Sequence, residues 1–220
     1  MTLSLSAPFS PWLAHLPRLL LLACLAGSAL AADEGIDYQV LPQAQPTANP
    51  ARIEVLEFFW YGCPHCFQLD PVLNAWLAKK PPQVDFRRMP AILGAQWEPH
   101  ARVYYAAESL GVLDLIHDPL MEAIHVKKQK LLTEADLVDF VTGRGVDRKK
   151  FQEAYHSFAV DSNVKRAVQM GERMGINGVP SLIINGKFRA SPVSAGGIDK
   201  LMLVLDDLIR KESPEVKEVK

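Results

Sequence analysis

Glu57-Phe58-Phe59-Trp60-Tyr61-Gly62-Cys63-Pro64-His65-Cys66 decides the fold, because a buried-strand run passes straight into two cysteines one helical turn apart. Working back from the cysteines, the strand is expected over Ile53 to Trp60. Its period of two places Ile53, Val55, Glu57 and Phe59 on one face and Glu54, Leu56, Phe58 and Trp60 on the other. Glu57 is then an acid on an otherwise apolar face. Working forward, a helix from Pro64 continues through Phe67, Leu69, Val72, Leu73 and Trp76, with a kink expected where Pro71 deletes an amide. Proline suits a first helical position, since its ring pre-sets φ and the missing amide has no partner there anyway.

A strand-to-helix junction carrying Cys-x-x-Cys makes a reactive dithiol. A thiolate at Cys63 sits beside the unpaired amides of the first turn and the positive end of the helix dipole, both of which lower a thiol pKa. Cys63 is therefore the candidate nucleophile, and Cys66, pointing inward on the same face, the resolving thiol. His65 between them can donate a hydrogen bond or a positive charge to the Cys63 thiolate. Stabilising the thiolate stabilises only the reduced form, which makes the disulfide oxidising. Glu57 should be partly desolvated, with a raised pKa, and placed to pass protons to or from a buried thiol. Plainer readings stand beside these: half of a zinc site, a structural disulfide, a surface histidine, and a glutamate reaching water at a strand end.

The chain has 220 residues, 49% of them hydrophobic, and a net charge of −1, enough for one core with an insertion. Its first 31 residues hold one charge, Arg18, then an apolar run from Leu19 to Leu30 and the small-residue pattern Ala29-Leu30-Ala31. This is a secretory signal peptide, too short to span a membrane. Losing Arg18 with it takes the net charge from −1 to −2, which argues against nucleic acid as a partner. Only Cys63 and Cys66 then remain, and a lone Cys-x-x-Cys pair in an exported protein suits a catalyst in an oxidising compartment. Leu21-Leu22-Ala23-Cys24 offers a second outcome, a lipoprotein box whose cysteine becomes a lipid anchor.

Elsewhere, Tyr38-Gln39-Val40 reads as a short edge strand and Val84 to Met89 as another strand. About seventy helical residues follow: Glu98 to Leu110 ending at Gly111, Val112 to His125, a Thr133/Asp136 capping box, and Arg148 to Ser157 capped by Asp147. A helix from Asp161 to Met174 leads to strand Ser181 to Ile184, an Asn185-Gly186 turn, strand Lys187 to Ala190 and a last helix from Ile198 to Lys211. Asn-Gly between apolar runs is a strong hairpin signal. The hairpin can complete the sheet begun by the first half, leaving the helical block as an insertion.

These residues resemble the thioredoxin superfamily, and within it the DsbA-type thiol:disulfide oxidoreductases of the bacterial periplasm. The likeness covers nearly the whole mature chain. It rests on Glu57-Phe58-Phe59, the Cys63-Pro64-His65-Cys66 motif, the helical insertion, and Gly178-Val179-Pro180-Ser181 before the hairpin. It implies an α/β thioredoxin-like fold with an inserted all-helical subdomain: residues 1–31 signal peptide, 32–94 and 168–212 the two parts of the thioredoxin-like domain, 95–167 the insertion, and 213–220 a flexible tail. It also implies a cis Val179-Pro180 peptide facing the Cys63 sulfur, so that Val179, Pro180 and Pro64 meet substrate. The family's buried glutamate falls on Glu57, with a basic partner near Arg87 or Arg88. The implied activity is donation of the Cys63-Cys66 disulfide to unfolded exported proteins with free cysteines. Reoxidation then falls to a DsbB-type quinone-linked membrane oxidase. No bound cofactor or metal is required, and a monomer is expected. A periplasmic reductase or isomerase and a chaperone-like binder of unfolded chains remain the rival readings.

Overall fold

The computed structural model describes residues 32–213. The expected signal peptide, with Cys24 in it, and the tail from residue 214 onward lie outside them. Five strands form one sheet: β1 (Tyr38–Val40), β2 (Ile53–Phe59), β3 (Val84–Pro90), β4 (Ser181–Ile184) and β5 (Phe188–Ala190), in the order β1-β5-β4-β2-β3. Only β2 and β3 run parallel, and the helix between them, α1 (Pro64–Leu77), is the crossover that a parallel pair requires. The β4–β5 hairpin closes through Asn185 and Gly186, both at positive φ (50° and 64°), the conformation its two-residue turn demands.

All seven residues of β2 are buried, because helices cover both faces of the sheet. On one side Ile53 and Val55 pack with Leu69, Leu73 and Trp76 of α1 and with Leu201, Leu205 and Leu208 of α8 (Ile198–Glu212). Trp76 Nε1 donates to Asp206 Oδ1 at 2.9 Å and ties the two helices together. On the other side Leu56 and Phe58 pack against the helical block. Phe59 departs from the expected two-residue alternation: it joins Tyr61 and Tyr104 in the helical-block core, because β2 overruns its partner β4, whose last paired residue is Ser181 opposite Phe58.

Between β3 and β4 the chain is helical: α2 (Glu98–Ser109), α3 (Leu113–His125), α4 (Glu134–Thr142), α5 (Arg148–Tyr155) and α6 (Phe158–Arg173). Thr133 caps α4 by accepting from the Asp136 amide, and Asp147 caps α5 through the Lys150 amide. Helix α6 starts earlier than its apolar pattern suggests, since Ser157 Oγ accepts from the Val160 amide and Phe158, 85% exposed, carries no core-facing signal. Two short elements have no apolar periodicity to announce them: a 3-10 turn over Ala95–Trp97, and α7 (Pro192–Ala195), capped by reciprocal Ser191 and Ser194 contacts. Helix α1 runs through Pro71, which sits exposed on its outer face, as a single helix. Among the described residues, no helix is long and apolar enough to cross a membrane.

Candidate functional site

Cys63 is the N-cap of α1, in extended conformation, with Pro64 at the first helical position. Its Sγ accepts from the Cys66 amide at 3.4 Å, as a capping side chain does, and lies 3.4 Å from the Val179 carbonyl oxygen. Cys66, one turn on, is fully buried, while Cys63 keeps 8% of its surface open to solvent. The two thiols are not bonded to each other. One sulfur can therefore meet an incoming thiol and the other cannot.

The electrostatics separate the two thiols further. The Cys66 thiol donates to Cys63, the Cys66 and His65 amides add to this, the His65 charge contributes last, and together they bring the Cys63 pKa down to about 6 against the cost of burial. Burial pushes the Cys66 thiol far up, helped by its bond to Cys63 and by the nearby Glu57 charge. Of the two roles expected for His65, a hydrogen bond or a positive charge to the thiolate, its ring does not take the first: the side chain is exposed and its Nδ1 lies 3.3 Å from Gln68 Oε1. It acts on Cys63 through its amide and its charge.

Glu57 is 2% exposed, on the α1 side of β2, and Arg88 Nε donates to its Oε2 at 3.0 Å. The β2–β3 register sets this pairing, with Glu57 opposite Arg88, and gives Arg87 to the other buried acid of the strand, Glu54. Burial raises the Glu57 pKa, and the Arg88 charge opposes it. Arg88 Nη2 also donates to Asp70 Oδ1 (2.7 Å) and Asn74 Oδ1 (2.9 Å), both on α1. Burial works against the Asp70 charge, but His117 and Arg88 outweigh it and hold the carboxyl below its ordinary range. The sequence points to Arg87 or Arg88 as the partner of Glu57 without choosing between them, and it does not point to Asp70 or His117; the signal for Asp70 is that, four residues after Cys66, it shares the cysteine's helix face.

The Val179-Pro180 peptide is cis and sits where the Cys63 thiol meets the Val179 carbonyl. A cavity of about 400 Å³ opens beside it, lined by residues 177–181, His65 and residues 191–193. Pro180, Pro192 and Val193 are in its lining, so an extended chain passing Cys63 along the Val179 backbone would meet apolar contacts there. Pro64 is exposed at the mouth of α1.

Among the described residues no third ligand group joins the cysteines, as a zinc site would need. Asp70, His117 and Asp118 do bring ligand atoms within 4.8 Å of one another. Asp70 is already bound by Arg88, whose charge repels a cation there. The arrangement is fitted for thiol exchange: an accessible, acidified sulfur, a buried basic one, a buried acid–arginine pair behind them and an open backbone edge in front.

A family model for the DSBA-like thioredoxin domain matches residues 82–205. The thiol:disulfide interchange protein DsbA of Pseudomonas aeruginosa is 38% identical over 205 residues, covering 92% of this chain and 97% of the relative, a span that necessarily includes residues 63–66. Its counterpart in Azotobacter vinelandii is 39% identical, covering 89% and 97%. Among solved structures, Pseudomonas aeruginosa DsbA matches with a TM-score of 0.78 at 39% identity, over 82% of this chain and 94% of that one. The oxidoreductase DsbA from Xylella fastidiosa matches with a TM-score of 0.75 at 31% identity, over 80% and 95%.

Proposed function

This chain belongs to the DsbA-like thioredoxin-domain family, and we propose that it is a periplasmic thiol:disulfide oxidoreductase that donates a Cys63-Cys66 disulfide to exported proteins as they fold. The observation that carries the reading is the pairing of an acidified, accessible Cys63 with a buried, strongly basic Cys66.

In the reaction, a substrate thiolate attacks Cys63 Sγ of the enzyme disulfide, breaks the Cys63–Cys66 bond and forms a mixed disulfide. The displaced Cys66 thiolate takes up a proton, as its high pKa dictates. A second substrate thiolate then attacks the substrate's own sulfur and expels Cys63 as a thiolate, which its low pKa makes a good leaving group. The substrate loses two electrons and the enzyme gains them. In this reading Glu57, charged at rest beside Arg88 but with a raised pKa, takes up a proton and passes it to Cys66. The cis Val179-Pro180 turn and the cavity beside it hold the substrate chain extended along the Val179 backbone.

Unfolded exported proteins with free cysteines are the substrates. The reduced enzyme returns its two electrons to a DsbB-type quinone-linked membrane oxidase. The protein is exported by a cleaved signal peptide, and it needs no cofactor of its own.

The test is the reduction potential of the Cys63/Cys66 pair, measured by equilibration with glutathione buffers. A donor lies well above the thioredoxin potential of about −270 mV. A value at or below that makes the protein a reductase. A reduced, unfolded substrate that gains no disulfide from stoichiometric oxidised enzyme makes it a binder.

A further inference from the structure

Thiol exchange needs a thioredoxin-like core, yet the helical block also grips the loop just before Cys63, and it does so through one residue held at both ends. The Tyr61 hydroxyl lies 3.0 Å from His117 Nδ1, and the Tyr61 carbonyl oxygen accepts from His125 Nε2 at 2.7 Å. Both histidines belong to α3, eight residues apart, so the tyrosine is pinned along about two turns of that helix. His117 is buried, and its Nε2 lies 3.5 Å from Asp70 Oδ1 without forming a hydrogen bond; the nearby carboxylate still favours the N–H on Nε2 and leaves Nδ1 to accept from the phenol. Burial holds the Tyr61 hydroxyl protonated, so it has a proton to give. The His125 ring stacks on Phe67 of α1, with centroids 5.0 Å apart and planes 20° apart.

The grip reaches the sulfur through a short backbone path. The Cys63 amide donates to the Trp60 carbonyl at 3.0 Å, closing a turn over residues 60–63 with Tyr61 inside it. Phe67, against which His125 stacks, donates its amide to the Cys63 carbonyl at 3.1 Å. A shift of Tyr61 therefore moves the residue whose Sγ must stand 3.4 Å from both the Cys66 amide and the Val179 carbonyl.

We propose that Tyr61, His117 and His125 are positioning residues for the thiol pair: the two α3 histidines clasp Tyr61 at its hydroxyl and carbonyl and so set the placement of Cys63 against α1 and the Val179 turn. The inference rests on the reading of Cys63 as the nucleophile. It gives the helical block a part in the redox chemistry, since loosening the clasp weakens the donors that favour the Cys63 thiolate and makes the disulfide a poorer oxidant. Neither histidine is a hydrogen-bond partner of Cys63 Sγ or part of the cavity lining at Val179, so the effect is on geometry.

The test uses full-length mature protein and the variants Tyr61→Phe, His125→Ala and His125→Gln. For each, the glutathione equilibrium constant, the Cys63 thiolate absorbance titration and the melting temperatures of both redox forms are measured. Tyr61→Phe and His125→Ala should each lower the equilibrium constant for reduction of the enzyme disulfide by glutathione at least about threefold, roughly 14 mV at 29.6 mV per tenfold. Both should raise the thiolate midpoint. His125→Gln keeps an N–H for the Tyr61 carbonyl and should recover most of the loss. Tyr61→Phe removes one oxygen atom and carries the test alone if His125→Ala does not fold. If Cys63→Ser exchanged disulfides as well as wild type, the nucleophile assignment would fall. If Cys63 proves essential while the variants lower both melting temperatures equally and leave the constant and the midpoint unchanged, the clasp is structural only and the proposal is overturned.

Discussion

Glu57 and Arg88 stand opposite each other in the parallel β2–β3 ladder, and Arg88 Nε donates to Glu57 Oε2 at 3.0 Å. The same guanidinium reaches Asp70, so one cation serves two buried carboxylates. Removing one partner of a buried pair costs more than the pair is worth, because the remaining charge stays behind unpaired. Arg88→Met should destabilise the reduced protein by about 3–5 kcal/mol in urea denaturation, and adding Glu57→Gln should return part of that. A loss below about 1 kcal/mol would mean that the acids do not depend on Arg88 for their charge.

The acidified Cys63 thiol makes the stability of the reduced form depend on pH. Hydrogen bonding from Cys66 and the first-turn amides brings it to about 6 when folded, against about 8.5 in an unfolded chain. A lowered acid stabilises the fold fully above its unfolded pKa and loses that contribution as pH falls through its folded pKa. The oxidised form has no such group. The melting advantage of reduced over oxidised protein should therefore widen between pH 5 and pH 8.5, by about 1.4 kcal/mol at pH 7 and about 3 kcal/mol at pH 8.5. Above pH 8.5 the gain should turn over, because burial keeps Cys66 a thiol in the fold while the unfolded chain ionises it. Calorimetry of both redox forms across this range checks the sign, and a pH-independent difference would count against the acidified thiol.

Much of this molecule is legible in its sequence through local chemistry. Cys63 at a strand-to-helix junction, the Asn185-Gly186 turn, the Thr133 and Asp147 caps and the apolar stripe of α8 are signals whose causes lie within a few residues. What stayed hidden depends on register and on contacts far apart in sequence. Arg87 and Arg88 are neighbours, and only the β2–β3 pairing decides that Arg88 meets Glu57 while Arg87 meets Glu54. His117 and His125 read as ordinary residues of an amphipathic helix, because the tyrosine they hold is 56 and 64 residues away. For His65 the sequence leaves both a bond and a charge open, because a free rotamer at an exposed first turn can reach Gln68 as well as the sulfur.

Because the His65 ring is exposed and faces Gln68, its influence on Cys63 is that of a nearby charge in water and not of a buried donor. His65→Ala should raise the Cys63 thiolate midpoint and lower the glutathione equilibrium constant by about fivefold, the effect of roughly 1 kcal/mol of screened attraction. Raising the salt from about 0.1 M to 1 M shortens the screening length from about 10 Å to 3 Å. The gap between wild type and variant should then narrow. A gap that ignores salt would mean that the imidazole leaves Gln68 and bonds the sulfur directly.

Gly62 precedes the nucleophile, and a β-carbon built there would stand 2.4 Å from the Trp60 ring. That ring has little room to retreat, since it lies flat on Trp97 with centroids 4.2 Å apart and planes 7° apart. The glycine is needed for this close approach, because it lets the indole fold back over the loop. Gly62→Ala should therefore cost about 1–3 kcal/mol of stability, as overpacking does. It should also part the Trp60–Trp97 stack, which far-ultraviolet circular dichroism reads as lost exciton coupling between the indoles. If the variant keeps both the wild-type melting temperature and that signal, Trp60 is not pinned and the loop before Cys63 is held by the Tyr61 contacts alone.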